Sequence, residues 1–202
     1  MQVRDLEHKN YYMKHRQKIL DGIWKELELS LKKSKHPFHI FTITTINGKF
    51  PDSRYVVLRN VNAAKKTILF NTDKRSSKIK HIKDNNNVCA LFYDIVKKIQ
   101  LRIYGNIEEE TNLNILKNIW SNSREMSKKC YLNKYAPGTV IENSKDYMNN
   151  NSDIDINDGF RNFAVLKIKI DRIDWLNLSH KGHERLMFDL KQMVYSQLCI
   201  LG

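Results

Sequence analysis

Residues 71–80 read NTDKRSSKIK. Between Thr72 and Lys78 fall three cations, Lys74, Arg75 and Lys78, and three hydroxyls, Thr72, Ser76 and Ser77. This grouping, placed at the start of a helix, suits an anion. Hydroxyls and ammonium groups donate hydrogen bonds, and a helix N-terminus adds unpaired N–H groups and a favourable dipole. The same residues also describe a solvated helix start that Ser76 or Ser77 caps. The surrounding chain has to decide between the two.

Other chemistry-bearing groups are sparse. Cys89, Cys130 and Cys199 lie far apart, with no CxxC pair and no zinc spacing. Asp153, Asp155 and Asp158 superficially suggest a calcium loop, but the central Gly and closing Glu of an EF-hand are absent. No metal site is expected. His81 sits in a basic segment and reads as solvated, and Cys89, in an apolar run, reads as packed.

The elements that position the anion site follow from periodicity. Ile19, Leu20, Ile23, Trp24, Leu27 and Leu31 recur at helical spacing, which predicts an amphipathic helix over about 14–34. HPFHIFTITTINGKF is rich in β-branched and aromatic residues, and Asn47-Gly48 marks a hairpin turn. SRYVVLRN (53–60), TILFN (67–71), NVCALFYD (87–94) and KIQLRIYGNIEEE (98–110) read as further strands. In the last of these, Ile99, Leu101 and Ile103 alternate with Gln100, Arg102 and Tyr104. A short helix is predicted from Ser76, and two more over 112–121 and 124–133. Residues 143–158 are polar and poor in core residues, which predicts a mobile loop. FAVLKIKIDRIDWLNLS gives one or two strands and HERLMFDL a last one. Six or seven antiparallel strands with few helices predict a mainly β fold, a closed or split β-barrel with peripheral helices, in one domain over 1–202.

The chain has 202 residues, 41% of them apolar, and a net charge of +13. That composition excludes a disordered chain, and no apolar run reaches the roughly 20 residues that span a bilayer. The N-terminal residues carry no secretory pattern, and the cysteine usage suits a cytoplasmic location. The charge alone admits a basic nucleic-acid-binding module, but no motif of that class accompanies it.

In order and spacing, SRYVVLRN, LFNTDKRSSKIKHI, ALFYD, IQLRIYG, NFAVLKIKIDRIDWLNL and HER resemble the pyridoxamine 5′-phosphate oxidase-like flavoproteins, the FMN-binding split barrels of antiparallel Greek-key type. The closest resemblance is to a branch of uncertain activity, suggested by YLNKYAPGT and WLNLSHKGHERLMF. It covers roughly residues 20 to 190. It implies FMN as cofactor, with its phosphate held by Arg54, Thr72 (beside Asn71), Ser76, Ser77 and Lys78. The backbone of Val56, Val57, Leu58 and Arg59 would run beside the ring. Gln100, Trp175 and Arg185 would come from the second subunit of a homodimer that holds FMN at its interface. A small phosphorylated substrate would meet Arg59, Trp120 and Arg124, then Ser127 or Lys128, with Lys181 and His183 above it. No catalytic residue is assigned.

The chain departs from the vitamin-converting members at three places. Arg59 replaces a Lys after VVL, Trp120 replaces a Tyr, and Lys181 replaces the first Arg of R-x-H-x-R. At Ser77 the family also tolerates Arg, a charge that Arg75 is positioned to supply. The implied activity is oxidation of pyridoxamine or pyridoxine 5′-phosphate by oxygen. The departures leave open an FMN-dependent oxidoreductase or flavin carrier with another substrate.

Overall fold

The computed structural model describes residues 3–141, 155–180, 182–192 and 194–200. Its helices are α1 (Val3–Lys32), α2 (Ser77–Asp84), α3 (Leu113–Ser121) and α4 (Glu125–Lys129), with a 3₁₀ helix at Ile156–Asn162. Its strands are β1 (Ile40–Asn47), β2 (Phe50–Asn62), β3 (Thr67–Asp73), β4 (Asn87–Asp94), β5 (Ile99–Glu109), β6 (Phe163–Asn177), β7 (His183–Asp189) and β8 (Val194–Ile200).

All strand pairs are antiparallel, in the order β3-β2-β1-β4-β5-β6-β7-β8. A further pairing of β3 with β6, from Thr67↔Lys169 to Asp73↔Phe163, closes the first six strands into a barrel. The mainly β barrel read from the sequence is therefore the observed fold. Closure removes both edges of the six-stranded sheet, and β7 and β8 extend from β6 as an added ribbon.

Alternation on the strands fills the barrel. Phe41, Ile43, Leu58, Ile68, Phe70, Ala90, Phe92, Leu101, Ile103, Leu166 and Ile168 are all buried in it. Phe41 stacks on Phe92 at 4.6 Å between centroids. Leu20, Ile23 and Leu27 of α1 join the same core, as their spacing predicts. A smaller core of Trp120, Phe163 and Val165 lies under α3, with Tyr131 and Phe160 packed on it.

Three sequence expectations are corrected. The strands number eight among the described residues, because VYSQLCI pairs with β7 beyond the strand expected to be last. The first helix begins at Val3, well before the apolar repeat starts. The helix expected over 124–133 shrinks to Glu125–Lys129, after which the chain turns to pack Tyr131 on the smaller core. Of the segment expected to be a mobile loop, 143–154 lies outside the described residues. Asp155 caps the following 3₁₀ helix by accepting from the Asn157 N–H at 2.9 Å.

Two backbone irregularities bear on the site. The β2–β3 register shifts between Leu58 and Asn60, which places Arg59 at a bulge. Bulges re-aim the side chains they carry. The β5–β6 register shifts at Tyr104/Gly105, where the two backbones come very close.

Candidate functional site

The stretch quoted first does form a cluster. β3 ends at Thr72 and Asp73, the chain turns, and α2 starts at Ser77. Thr72 and Ser76 are both buried, and the Lys78 ammonium donates to their hydroxyl oxygens, at 2.9 Å to each. Ser76 occupies the N-cap position but makes no capping bond with its side chain. Its hydroxyl is turned to Lys78 instead, so the expected cap is not formed. Ser77 is exposed at the first turn.

Arg54 reaches the cluster from β2. Its Nη2 pairs with Asp52, and its Nη1 donates to the Thr45 hydroxyl at 2.6 Å. Burial and the nearby Arg54 charge lower Lys78 to about 8, only partly offset by Asp73 and Asp52. Two cations thus stand close together, one of them desolvated. This is an arrangement that an added anion relieves.

Arg75 is committed elsewhere. Its Nε and Nη2 grip both Asp73 oxygens at 3.0 and 2.7 Å, and its Nη1 donates to the carbonyls of Asn133 and Lys134. It fastens the 133–134 segment to the end of β3 and does not supply the missing charge near Ser77. His81 is also unlike its reading as solvated. It is buried on the inner side of α2, with Nδ1 3.1 Å from the Thr45 hydroxyl.

Five residues along β2 from Arg54, the bulged Arg59 opens onto a cavity of about 420 Å³. Asn71, Arg124, Ser127 and Tyr131 line it too, along with Lys32 and His39. The Oδ1 of Asn71 is buried there with no hydrogen-bond partner. Burial pushes the Tyr131 phenol up to about 12 against the opposing pull of Arg59, so it is a protonated donor at neutral pH. Arg59, Arg124 and Ser127, named from sequence, are therefore brought together.

Trp120 is not among the residues lining this cavity. Its ring is buried among Tyr131, Phe160 and Phe163, and its indole N–H donates to Asn157 at 3.2 Å. Four aromatic rings converge there, and the Lys128 ammonium stands over the indole at 5.6 Å from its centroid. The hydroxyl-bearing aromatic on the cavity wall is Tyr131, seven residues beyond Arg124, which sequence reasoning missed. The only signal for it was the YLNKYAPGT segment in which it stands.

The remaining candidates lie on β5, β6 and β7. Gln100 pairs with Tyr93 and Leu176. Trp175 is buried in the main core and lines an apolar cavity of about 290 Å³ with Ile19, Phe38 and Leu101. Arg185 donates to both oxygens of the buried Asp174, at 2.9 and 2.6 Å, and Arg102 donates to the same carboxylate at 2.7 Å. Burial would push the Asp174 carboxyl up, but the Arg185 hydrogen bond and the two Arg charges outweigh it and hold it below its ordinary value. The Nδ1 of His183 is buried without a partner. Lys181 lies outside the described residues. Val56 and Leu58 face the core, and Val57 lies on the opposite side of β2.

A phosphate ester needs several donors and compensating positive charge when it leaves water. Arg54, Lys78, Thr72 and Ser76, with the start of α2, supply both. Among the described residues no cluster of His, Cys, Asp and Glu could hold a metal ion, and no helix is long and apolar enough to cross a membrane.

Residues 21–109 match the family described as "Pyridoxamine 5'-phosphate oxidase, FMN-binding domain". The chain is 27% identical over 159 residues to a pyridoxine/pyridoxamine 5′-phosphate oxidase of Leptospira interrogans, covering 73% of this chain and 71% of the relative. The fold is shared with a pyridoxamine 5′-phosphate oxidase-related, FMN-binding protein of Nostoc punctiforme. There the TM-score is 0.70 at 18% identity, covering 90% of this chain and 96% of that one. It is also shared with PhzG of Burkholderia lata, solved with tetrahydrophenazine-1-carboxylic acid. That TM-score is 0.62 at 12% identity, covering 81% and 82%.

Proposed function

We propose that this chain, a relative of the pyridoxamine 5′-phosphate oxidase-like FMN-binding split-barrel proteins in sequence and in fold, is an FMN-dependent oxidoreductase acting on a small phosphorylated substrate. Pyridoxamine or pyridoxine 5′-phosphate is the substrate it fits first, with dioxygen as acceptor. The observation that carries this reading is the presence of two cationic sites along β2. Arg54, with Lys78 beside it, marks the first, and Arg59, with Arg124 on the same cavity wall, marks the second. Five residues of extended strand separate the two arginines, about 16 Å at the usual rise. That spacing suits a cofactor phosphate at one end and a substrate anion at the other, with the reacting ring between them.

Arg54, Thr72, Ser76 and Lys78 hold the phosphate of FMN, with Ser77 offering backbone N–H from the first turn of α2. Bound there, FMN would supply the two-electron redox chemistry that couples oxidation of a substrate C–H bond to reduction of dioxygen to hydrogen peroxide. The chain's own groups bind and orient. Arg59 and Arg124 pair with the substrate phosphate, and Ser127 and the Tyr131 phenol donate to it. His183 is assigned to the substrate from its far side.

Gln100 and Arg185 act on FMN from a second copy of the chain, whereas Trp175, buried in the core of its own subunit, does not reach it. The outer face of β1, β2 and β4 suits such a copy. Ile40, Tyr55, Leu91 and Tyr93 are exposed on it, and large contiguous apolar patches of this kind mark interfaces. The mass in solution is expected to be twice that of the chain. A monomer that binds FMN tightly would remove Gln100 and Arg185 from the site.

The activity is tested by supplying the pure FMN-loaded protein with pyridoxine 5′-phosphate in air and following the pyridoxal chromophore. Arg124→Ala is expected to lower kcat/KM by about 30-fold, mostly through KM, because it removes a charge-assisted contact to the substrate phosphate. If the wild type holds FMN but forms no pyridoxal product, the vitamin reading fails. An FMN-dependent oxidoreductase of another substrate then remains, a reading that Arg59 in place of Lys favours, because the planar fork is not equivalent to an ammonium.

A further inference from the structure

Thr45 on β1 and His81 on α2 belong to no motif that pointed to the site, yet both are buried polar residues, at 1% and 5% exposure. Burying such groups costs stability unless each is hydrogen-bonded, and apolar residues would fill the same space without that cost. They are bonded to each other, and Thr45 is bonded to Arg54 as well. A guanidinium can only donate, so the Thr45 hydroxyl accepts from Arg54 Nη1 at 2.6 Å. Its single proton is then left for Nδ1 of His81, at 3.1 Å. On the other side of Arg54, Nη2 pairs with Asp52, whose carboxylate lies 3.8 Å from the same His81 nitrogen. Thr45 and Asp52 face each other in the β1–β2 register, so both restraints come from one rigid pair of strands.

We propose that Thr45 and His81 are positioning residues for Arg54, aiming its guanidinium at the phosphate of FMN; this rests on the reading of Arg54 and Lys78 as the phosphate seat. The relay from β2 through β1 to α2 joins the strand that carries Arg54 to the helix that carries Lys78. It therefore fixes the two cations relative to each other. With two nitrogens held, the guanidinium keeps a fixed plane, and the rest of its five N–H donors project in set directions. An Arg tethered only to the half-exposed Asp52 would lose that definition.

The test compares FMN with riboflavin, which lacks the phosphate, by flavin fluorescence titration of the full chain. Thr45→Val keeps the shape and removes the hydroxyl. It is expected to weaken FMN binding by about 10-fold, the effect of one lost hydrogen bond to a charged group, and to leave riboflavin affinity unchanged. Thr45→Ser is expected to restore the preference for FMN. His81→Leu is expected to shift the preference in the same direction as Thr45→Val, and it carries the test if the valine variant does not fold. The ¹⁵N shift of His81 Nδ1 is expected to be that of an unprotonated acceptor in the wild type. Equal loss of both flavins in Thr45→Val, or no loss of either, overturns the positioning role. A wild type with no preference for FMN over riboflavin removes the seat itself, and the proposal with it.

Discussion

Lys78→Met is expected to weaken FMN binding by about 100-fold while raising the stability of the ligand-free protein by about 1 kcal/mol. The two effects have one cause. Burial and Arg54 bring Lys78 down to about 8 in the folded chain, whereas in the unfolded chain it keeps its proton to about 10.4. Between those values the unfolded state binds more protons, so folded stability rises with pH across that window. Below about pH 8 the buried ammonium is a standing cost, and methionine removes it. Thr72 and Ser76 stay mutually satisfied, because their hydroxyl oxygens are 3.4 Å apart. The same cost is what a phosphate relieves. FMN affinity is therefore expected to fall as pH rises above about 8, and the methionine variant is expected to show no such fall. Fluorescence titrations between pH 7 and 10, with riboflavin as control, read the first effect. Thermal melts read the second, as a rise of roughly 3 °C for a chain of this size. A variant that binds FMN as the wild type does would take Lys78 out of the seat.

Gly105→Ala is expected to cost more than about 3 kcal/mol, through steric overlap and not through lost flexibility. A Cβ at this position would overlap the carbonyl oxygen of Lys169 and lie 2.9 Å from its carbonyl carbon and 3.1 Å from Ile170 Cα. All three are backbone atoms of β6 and cannot swing aside. Relief requires opening the β5–β6 ladder at its bulge, the seam that also carries Gln100 and Asp174. A melt within a few degrees of the wild type would show that the two strands are not so close in solution. Gly22→Ala, where a Cβ meets nothing within 4 Å, is the matched control.

What could be read in the chain was what neighbours in sequence decide. The Asn47-Gly48 turn is local, and Gly48 takes the left-handed φ of 59° that the tight connection needs. The alternation of Gln100, Arg102 and Tyr104 with buried Leu101 and Ile103 is equally local. So was the grouping of Thr72, Ser76 and Lys78, because a strand end and a helix start lie only a few residues apart. What escaped depends on distant partners. His81 looks solvated among lysines, and only the approach of Thr45, 36 residues earlier, buries it. Trp120 is drawn away from its expected place on the cavity wall because Phe160 and Phe163, about 40 residues later in the chain, pack on the indole ring. The commitment of Arg75 to Asp73 is local, but its tie to Asn133 is not.

The β3–β6 ladder joins segments about 90 to 100 residues apart, and its last rung but one pairs Thr72 with Ala164. Contacts of such long sequence separation are entropically slow to make, and a chain rich in them folds late and over a high barrier. Until that seam zips, two unpaired strand edges remain open to intermolecular pairing, and Thr72 has no fixed place beside Lys78. Flavin added during refolding should therefore change colour or fluorescence only in the slowest kinetic phase, and scarce cofactor during synthesis should show first as aggregated chains.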